Sequence, residues 1–250
     1  MEHGRIDVGA GVELAWQRLP GQGPTVVFLP GYRSDMTGDK AQALTTLCTR
    51  EGRSLLLFDY AGHGASGGRF EDGTIGRWTQ DALAAIDRLT RGPLILVGSS
   101  MGGWIGLLAA LVRPARVAAF VGIAAAPDFT ETLMWASMTP NEQASLMQHG
   151  ILHVPSAYGD PLPITRALIE DGRTRLLLNA PIPLACPVRL LQGQEDADVP
   201  WETALRLAAR IEGADVQVLL VKDGGHRMSR PQDLALLERT LLPLLRQDGA

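Results

Sequence analysis

The chain has 250 residues, 46% hydrophobic and 20% charged, with a formal net charge of −4. That is enough apolar material for a sizeable α/β core and an ordinary charge content for a soluble domain. It argues against a basic nucleic-acid-binding stripe, and no run approaches the roughly 18 apolar residues of a membrane span.

The first residues, Met1-Glu2-His3-Gly4-Arg5-Ile6-Asp7, lack a positive segment followed by an apolar one. They do not read as a secretory signal, and His3 is expected in a frayed terminus. The expected location is cytoplasmic. Val12 to Gln17 alternates weakly and predicts a strand. Thr25 to Leu29 predicts a buried strand stopped by Pro30-Gly31, and Thr37 to Arg50 a helix. A strand follows from Ser54 to Phe58. Trp78, Ala82, Ala85, Ile86 and Leu89 recur at helical spacing. Further strands are predicted over Leu94 to Val97, Val117 to Ile123, Val188 to Leu191 and Val216 to Val221, with helices over Ala204 to Ile211 and Leu234 to Leu245. Continuous apolar strands separated by helices imply an α/β fold whose sheet is covered on both faces. Cys48 and Cys186 lie far apart, without metal spacing, and are expected to be reduced and structural.

The stretch from about 127 to 183 breaks this rhythm. It contains no convincing strand, many prolines, and apolar residues that include Phe129, Leu133, Met134, Trp135, Met138, Tyr158 and Ile164. It is too long for a connecting loop. It predicts a helical cap inserted between the strands Val117 to Ile123 and Val188 to Leu191, with a Met and Trp rim suited to adaptable apolar substrates. Residues 1–250 then form one domain with an insertion.

The strand Leu94 to Val97 runs into Gly98-Ser99-Ser100-Met101-Gly102, and a helical pattern follows from Trp104 to Val112. Strand, Gly-x-Ser-x-Gly and helix in that order form a sharp turn that presents a nucleophilic serine. Only Ser100 has glycines two residues away on both sides, and side chains at Gly98 or Gly102 would collide with the neighbouring strand or helix.

A serine hydroxyl needs a base, a group that orients the base, and donors for the developing oxyanion. Parallel strands deliver their C-terminal ends to one edge of the sheet. His226 follows the strand ending at Val221 and is the expected base; His149 and His153 fall in the cap. The loop Gly193-Gln194-Glu195-Asp196-Ala197-Asp198-Val199-Pro200 offers the acid, with Asp196 preferred, Asp198 its competitor and Glu195 a solvated charge. The oxyanion donors are expected to be the backbone N–H groups of Met101, after the nucleophile, and of Tyr32, in the loop after Leu29. His63, in Asp59-Tyr60-Ala61-Gly62-His63-Gly64, reads as a loop-packing residue. No metal spacing and no dinucleotide fingerprint emerges, so no cofactor is expected.

These residues resemble the α/β-hydrolase superfamily, with its Gly-x-Ser-x-Gly turn, its Gly-x-x-Asp-x-x-Val-Pro acid loop (Gly193 to Pro200) and its late histidine. More narrowly, Leu29 to Ala41, Phe58 to Gly67, Leu96 to Trp104, Cys186 to Leu191, Val199-Pro200-Trp201 and His226-Arg227-Met228 resemble a mitochondrial α/β-hydrolase-domain group. That group acts in protein S-depalmitoylation and acyl-glucuronide ester cleavage. The resemblance implies an α/β-hydrolase fold, a mostly parallel eight-stranded sheet flanked by helices with a cap. It implies Ser100 as nucleophile, Asp196 as acid and His226 as base. No transit-peptide pattern is evident, which points to a bacterial-type cytoplasmic relative. The expected substrate is a small-molecule ester or acyl-thioester, with an S-acylated protein as a further candidate. The alternative is a non-catalytic small-ligand-binding protein on the same fold.

Overall fold

The computed structural model describes residues 1–156 and 159–246. Tyr158, expected among the cap's apolar residues, lies outside the described residues. Eight strands form the main sheet: β1 (Glu2–Asp7), β2 (Glu13–Leu19), β3 (Gln22–Leu29), β4 (Arg53–Phe58), β5 (Leu94–Ser99), β6 (Val117–Ile123), β9 (Val188–Gly193) and β10 (Val216–Val221). A separate hairpin consists of β7 (Ile151–Ser156) and β8 (Gly159–Thr165). The main sheet runs in the order β1-β2-β4-β3-β5-β6-β9-β10. From β4 to β10 every pair is parallel; only the β1·β2 and β2·β4 pairs are antiparallel.

Helices cover both faces, and the strands read accordingly. Along β3, Val26 and Phe28 point to one face and pack with residues of α1 (Asp39–Arg50) and α7 (Pro231–Leu245). Val27 and Leu29 point the other way, into the core that holds α2 (Ile75–Leu89), α3 (Met101–Val112) and α6 (Glu202–Arg210). With both faces covered, strand residues have no solvated side to make polar, which is why β5 is buried along its whole length. The expected helical stripe is borne out: Trp78, Ala82, Ala85 and Ile86 are fully buried in α2, and Leu89 packs against the same cluster. A fully buried side chain of Leu or Phe size stabilises by about 1.5–3 kcal/mol.

Three expectations need correction. The chain start is a strand: β1 pairs with β2 and sets His3 opposite Gln17. Its residues alternate between exposed and half-buried, so an edge strand with little apolar content left no periodic signal. A turn closes it, with Val8 N–H donating to Val12 O (2.9 Å) and Gly9 N–H to Asp7 Oδ1 (2.7 Å). The segment between β6 and β9 is not wholly helical. It contains a turn of π-helix (Thr130–Trp135), α4 (Pro140–His149) and α5 (Arg166–Arg173), but also the β7·β8 hairpin. Pro155, Pro161 and Pro163 hid that hairpin, because proline is tolerated in a short strand pair that lacks a second neighbour. Finally, α3 begins at Met101 rather than Trp104, directly after the serine.

His63 is buried, 3% exposed, with its ring edge-on to Tyr60, Phe70 and Trp78. Burial pushes its pKa from 6.5 down to about 4. Between those values the unfolded chain binds a proton that the folded chain refuses, so stability falls as pH drops through the window. The loss from pH 7 to pH 4 attributable to this ring is on the order of 3 kcal/mol. Denaturant unfolding of His63→Gln should therefore lose less stability over that range than the wild type; parallel curves would contradict the assignment.

Candidate active site

Ser100 sits between β5 and α3 with φ 53° and ψ −119°, a backbone conformation rarely adopted outside glycine. Three hydrogen bonds hold it: Ser100 N–H to Ile123 O (2.9 Å), and Gly103 and Ala126 N–H to Ser100 O (2.8 and 3.1 Å). The two glycines of the motif are required by crowding. A Cβ at Gly98 would lie 2.3 Å from Gly102 O, and one at Gly102 only 1.9 Å from Leu29 O. The helix and β3 close on the turn so tightly that only hydrogen atoms fit.

The loops after β9 and β10 bring the other two groups to the same edge. They are bound to each other, with Gln194 N–H donating to Val221 O (2.9 Å) and Glu195 N–H to Gly224 O (2.8 Å). His226 Nε2 lies 3.1 Å from Ser100 Oγ, and its Nδ1 lies 2.9 Å from Asp196 Oδ2. The Asp196 side chain is fully buried. Its Oδ1 accepts from the N–H groups of Asp198 and Val199 (2.9 and 2.8 Å), and its Oδ2 also accepts from Gln192 Nε2 (2.9 Å). Burial opposes its ionisation, but the bonds from His226 and the two amides outweigh that and hold its pKa below the ordinary aspartate value. Asp198 is exposed, and so is Glu195. The sequence-predicted trio Ser100, Asp196 and His226 is thus brought together in one hydrogen-bonded chain. Asp198 also brings a carboxylate within 4.8 Å of Asp196 and His226, a spacing a metal could use. The buried Asp196 already meets four hydrogen-bond donors.

Two residues of this network escaped the sequence reading. Gln192, fully buried, ends an apolar strand and steadies Asp196; a lone amide in an apolar run was the available signal. Lys40, in the first turn of α1, donates from Nζ to Arg227 O (2.6 Å), next to His226, and burial pushes its pKa down to about 8.

The expected oxyanion residues flank Ser100. Met101 follows it as the first residue of α3, where the helix dipole favours negative charge. The backbone at Gly31 passes so near that a Cβ there would lie 3.4 Å from Ser100 Cβ, and Tyr32 comes next. The Tyr32 hydroxyl donates to Pro163 O in β8 (2.9 Å), and burial pushes its pKa upward, so it stays protonated. Ser100 and His226 open into a cavity of about 870 Å³. Its lining includes the apolar Phe129, Leu133, Met134, Met138, Leu162 and Ile164 and the charged Arg33, Asp35, Asp39, Lys40, Glu142, Asp198 and Arg227. Of the expected Met and Trp rim, Met134 and Met138 line the cavity, whereas Trp135 carries the Arg173 guanidinium 4.4 Å over its ring.

Residues 26–236 match the family described as alpha/beta hydrolase. The chain belongs to that family. It is 41% identical over 234 residues to the mitochondrial palmitoyl-protein thioesterase ABHD10 of Bos taurus, covering 93% of this chain and 76% of that one. Among solved structures, mouse alpha/beta hydrolase domain-containing protein 10 superposes with a TM-score of 0.91 at 37% identity, over all of both chains. A protein from Agrobacterium vitis S4 superposes with a TM-score of 0.95 at 43% identity, over 98% of this chain and 99% of that one. The fold expected of the family, a mostly parallel eight-stranded sheet flanked by helices, is the one observed. The cytoplasmic location expected from the sequence is overturned, because the ABHD10 relatives that match most of both chains are named as mitochondrial. That expectation rested on a missing leader pattern, and a missing pattern carries no positive information about location. Among the described residues, no helix is long and apolar enough to cross a membrane.

For this hydrolase the tight turn is the most sequence-sensitive feature. Gly98→Ala should cost about 3 kcal/mol or more through forced backbone shifts, read as a lowered midpoint in denaturant unfolding. An unchanged midpoint would mean that the turn relaxes where the geometry leaves no room.

Proposed function

We propose that the protein is a serine hydrolase that cleaves thioesters or esters of apolar acyl groups through an acyl-enzyme on Ser100. The observation that carries this reading is the continuous chain Ser100 Oγ, His226 and Asp196 at 3.1 and 2.9 Å, on a serine held in a strained turn. His226 takes the Ser100 proton as the hydroxyl attacks the acyl carbonyl. Asp196 keeps the Nδ1–H tautomer and stabilises the imidazolium without accepting the proton. The N–H groups of Tyr32 and Met101 receive the oxyanion. His226 then returns its proton to the departing thiolate or alkoxide, and activates the water that frees the acid.

Residues 1–250 form one α/β-hydrolase domain on this reading, with the 127–183 segment as a cap over the substrate. The apolar residues of the cavity lining take the acyl chain. The names of the ABHD10 relatives support a thioester, including one carried on an S-acylated protein. No cofactor enters the scheme.

Ser100→Ala should lose both fluorophosphonate labelling and turnover while keeping its unfolding midpoint. Asp196→Asn should lower kcat on the order of 10⁴-fold, because the imidazole tautomer is no longer fixed. Asp198→Asn, at an exposed carboxylate, should stay within a few-fold of wild type. Full turnover by Ser100→Ala would end the proposal, and a deeper loss in Asp198→Asn than in Asp196→Asn would reassign the acid.

The cavity makes a second demand. Across a series of acyl-thioesters and p-nitrophenyl esters, kcat/KM should climb with chain length, by up to about fourfold for each methylene buried. A flat series would remove the acyl chain from the apolar lining.

A further inference from the structure

The turn Asp59-Tyr60-Ala61-Gly62-His63-Gly64-Ala65 follows β4 and lies under the loop that carries Tyr32. It grips that loop at two amides. Asp59 Oδ1 accepts from Met36 N–H at 2.8 Å, and His63 Nε2 accepts from Arg33 N–H at 3.3 Å. The second contact is the unusual one, because a ring nitrogen accepts a backbone proton only when it is bare. The other ring nitrogen settles that: Nδ1 lies 3.3 Å from Ala61 O, which can only accept, so Nδ1 carries the proton. Ala61 is fixed in turn, its carbonyl taking Trp78 Nε1–H (3.0 Å) and its N–H going to the buried Asp81 carboxylate (2.9 Å). The same ring packs edge-on against Phe70 and Trp78, the side chains that also support the Tyr32 ring.

Arg33 has φ 57°, a left-handed conformation that non-glycine residues seldom adopt. Such a residue persists only where its surroundings over-determine it. Its amide is one peptide along from the Tyr32 N–H, so the torsion of Tyr32 is set between the two.

We propose that His63 is a positioning residue for hydrolysis: its bare Nε2 holds the Arg33 amide and so aims the Tyr32 N–H at the oxyanion. This rests on the assignment of Tyr32 as an oxyanion donor. His63 touches no reacting atom, and its effect is on the transition state alone. Burial, which lowers its pKa to about 4, keeps the acceptor available at neutral pH.

The test compares two polar replacements. In His63→Gln the side-chain oxygen reaches the position of Nε2; in His63→Asn it stops near Nδ1. Turnover is normalised to sites titrated by a fluorophosphonate, so that only folded, competent enzyme is counted. His63→Asn should lose about tenfold to a hundredfold in kcat with KM nearly unchanged, since small displacements of a catalytic donor cost that much. A trifluoromethyl ketone, whose adduct oxygen would occupy the oxyanion position, should weaken by the same factor. His63→Gln should recover most of both. Equal kcat values in the two variants, or a lowered unfolding midpoint with unaltered kcat, would overturn the inference. Ser100→Ala run in parallel separates the two failures. If it turns over, the serine reading is wrong; if it is inactive while His63→Asn keeps its kcat, only the role of His63 is lost.

Discussion

The structure depends on one strained residue. Ser100 holds a left-handed backbone at a cost of about 1–3 kcal/mol, and everything around it is arranged to make relaxation worse. β5 is buried along its length between two parallel neighbours, so the strand cannot shift. α3 starts at the next residue, and its first turn rests against β3 with room only for hydrogens at Gly98 and Gly102. The hydroxyl is thereby fixed at the C-terminal edge of the sheet, at the N-terminus of a helix whose dipole favours anions. A serine in an ordinary strand would lack both properties.

Once that point is fixed, the other groups have to come to it, and parallel topology supplies the route. β9 runs alongside β6 and β10 alongside β9, and both end at the same edge, in register from Val188↔Val216 to Gly193↔Val221. Their loops are laced together before they reach the serine, so Asp196 and His226 arrive as one unit. Gly193 and Gly224 make this possible: a Cβ on Gly193 would lie 2.1 Å from Gly224 O. The carboxylate of Asp196 is buried, and among the described residues no arginine pairs with it. Two amides, an amide side chain and an imidazole supply its donors. That many donors stabilise the charged form, which suits a group that orients an imidazole better than one that takes its proton.

Much of this was legible in the chain. A strand covered on both faces must be apolar throughout, so the parallel strands stand out as short continuous runs. The glycines around Ser100 and the loops after Leu191 and Val221 then mark out the candidate site without any knowledge of its geometry. What stayed hidden had weak local signals. β1 is an edge strand with few apolar residues and is held by hydrogen bonds that leave no pattern. The β7·β8 hairpin is rich in proline, and its pairing, such as Val154 with Leu162, depends on partners across a turn. Lys40 acts through a contact with a distant part of the chain, Arg227 O, whereas Gln192 bonds close by in sequence, to Asp196 and Val199, and its only signal was an amide in an apolar run. His63 read correctly as a packing residue, but the amide it accepts lies 30 residues away and could not be inferred from its own loop.

The segment between β6 and β9 is tied to the core at more than its ends. Asp128, buried and with φ 63°, accepts from the N–H groups of Leu177 and Leu178 and pins the exit of the segment to its entry. Asp171 accepts from Gly76 N–H at the start of α2 and pairs with Arg175. Tyr32 makes the third tie and the most consequential. Its backbone belongs to the loop beside Ser100, its ring packs against Phe70, Trp78 and Phe129, and its hydroxyl reaches Pro163 O in β8. One residue therefore joins the loop beside Ser100 to the β7·β8 hairpin, whose residues help line the cavity. Neither can shift at that point without moving the other, because the side chain and the amide share a single rigid attachment. The candidate site and the hairpin that helps line its cavity meet, at Tyr32, in one residue.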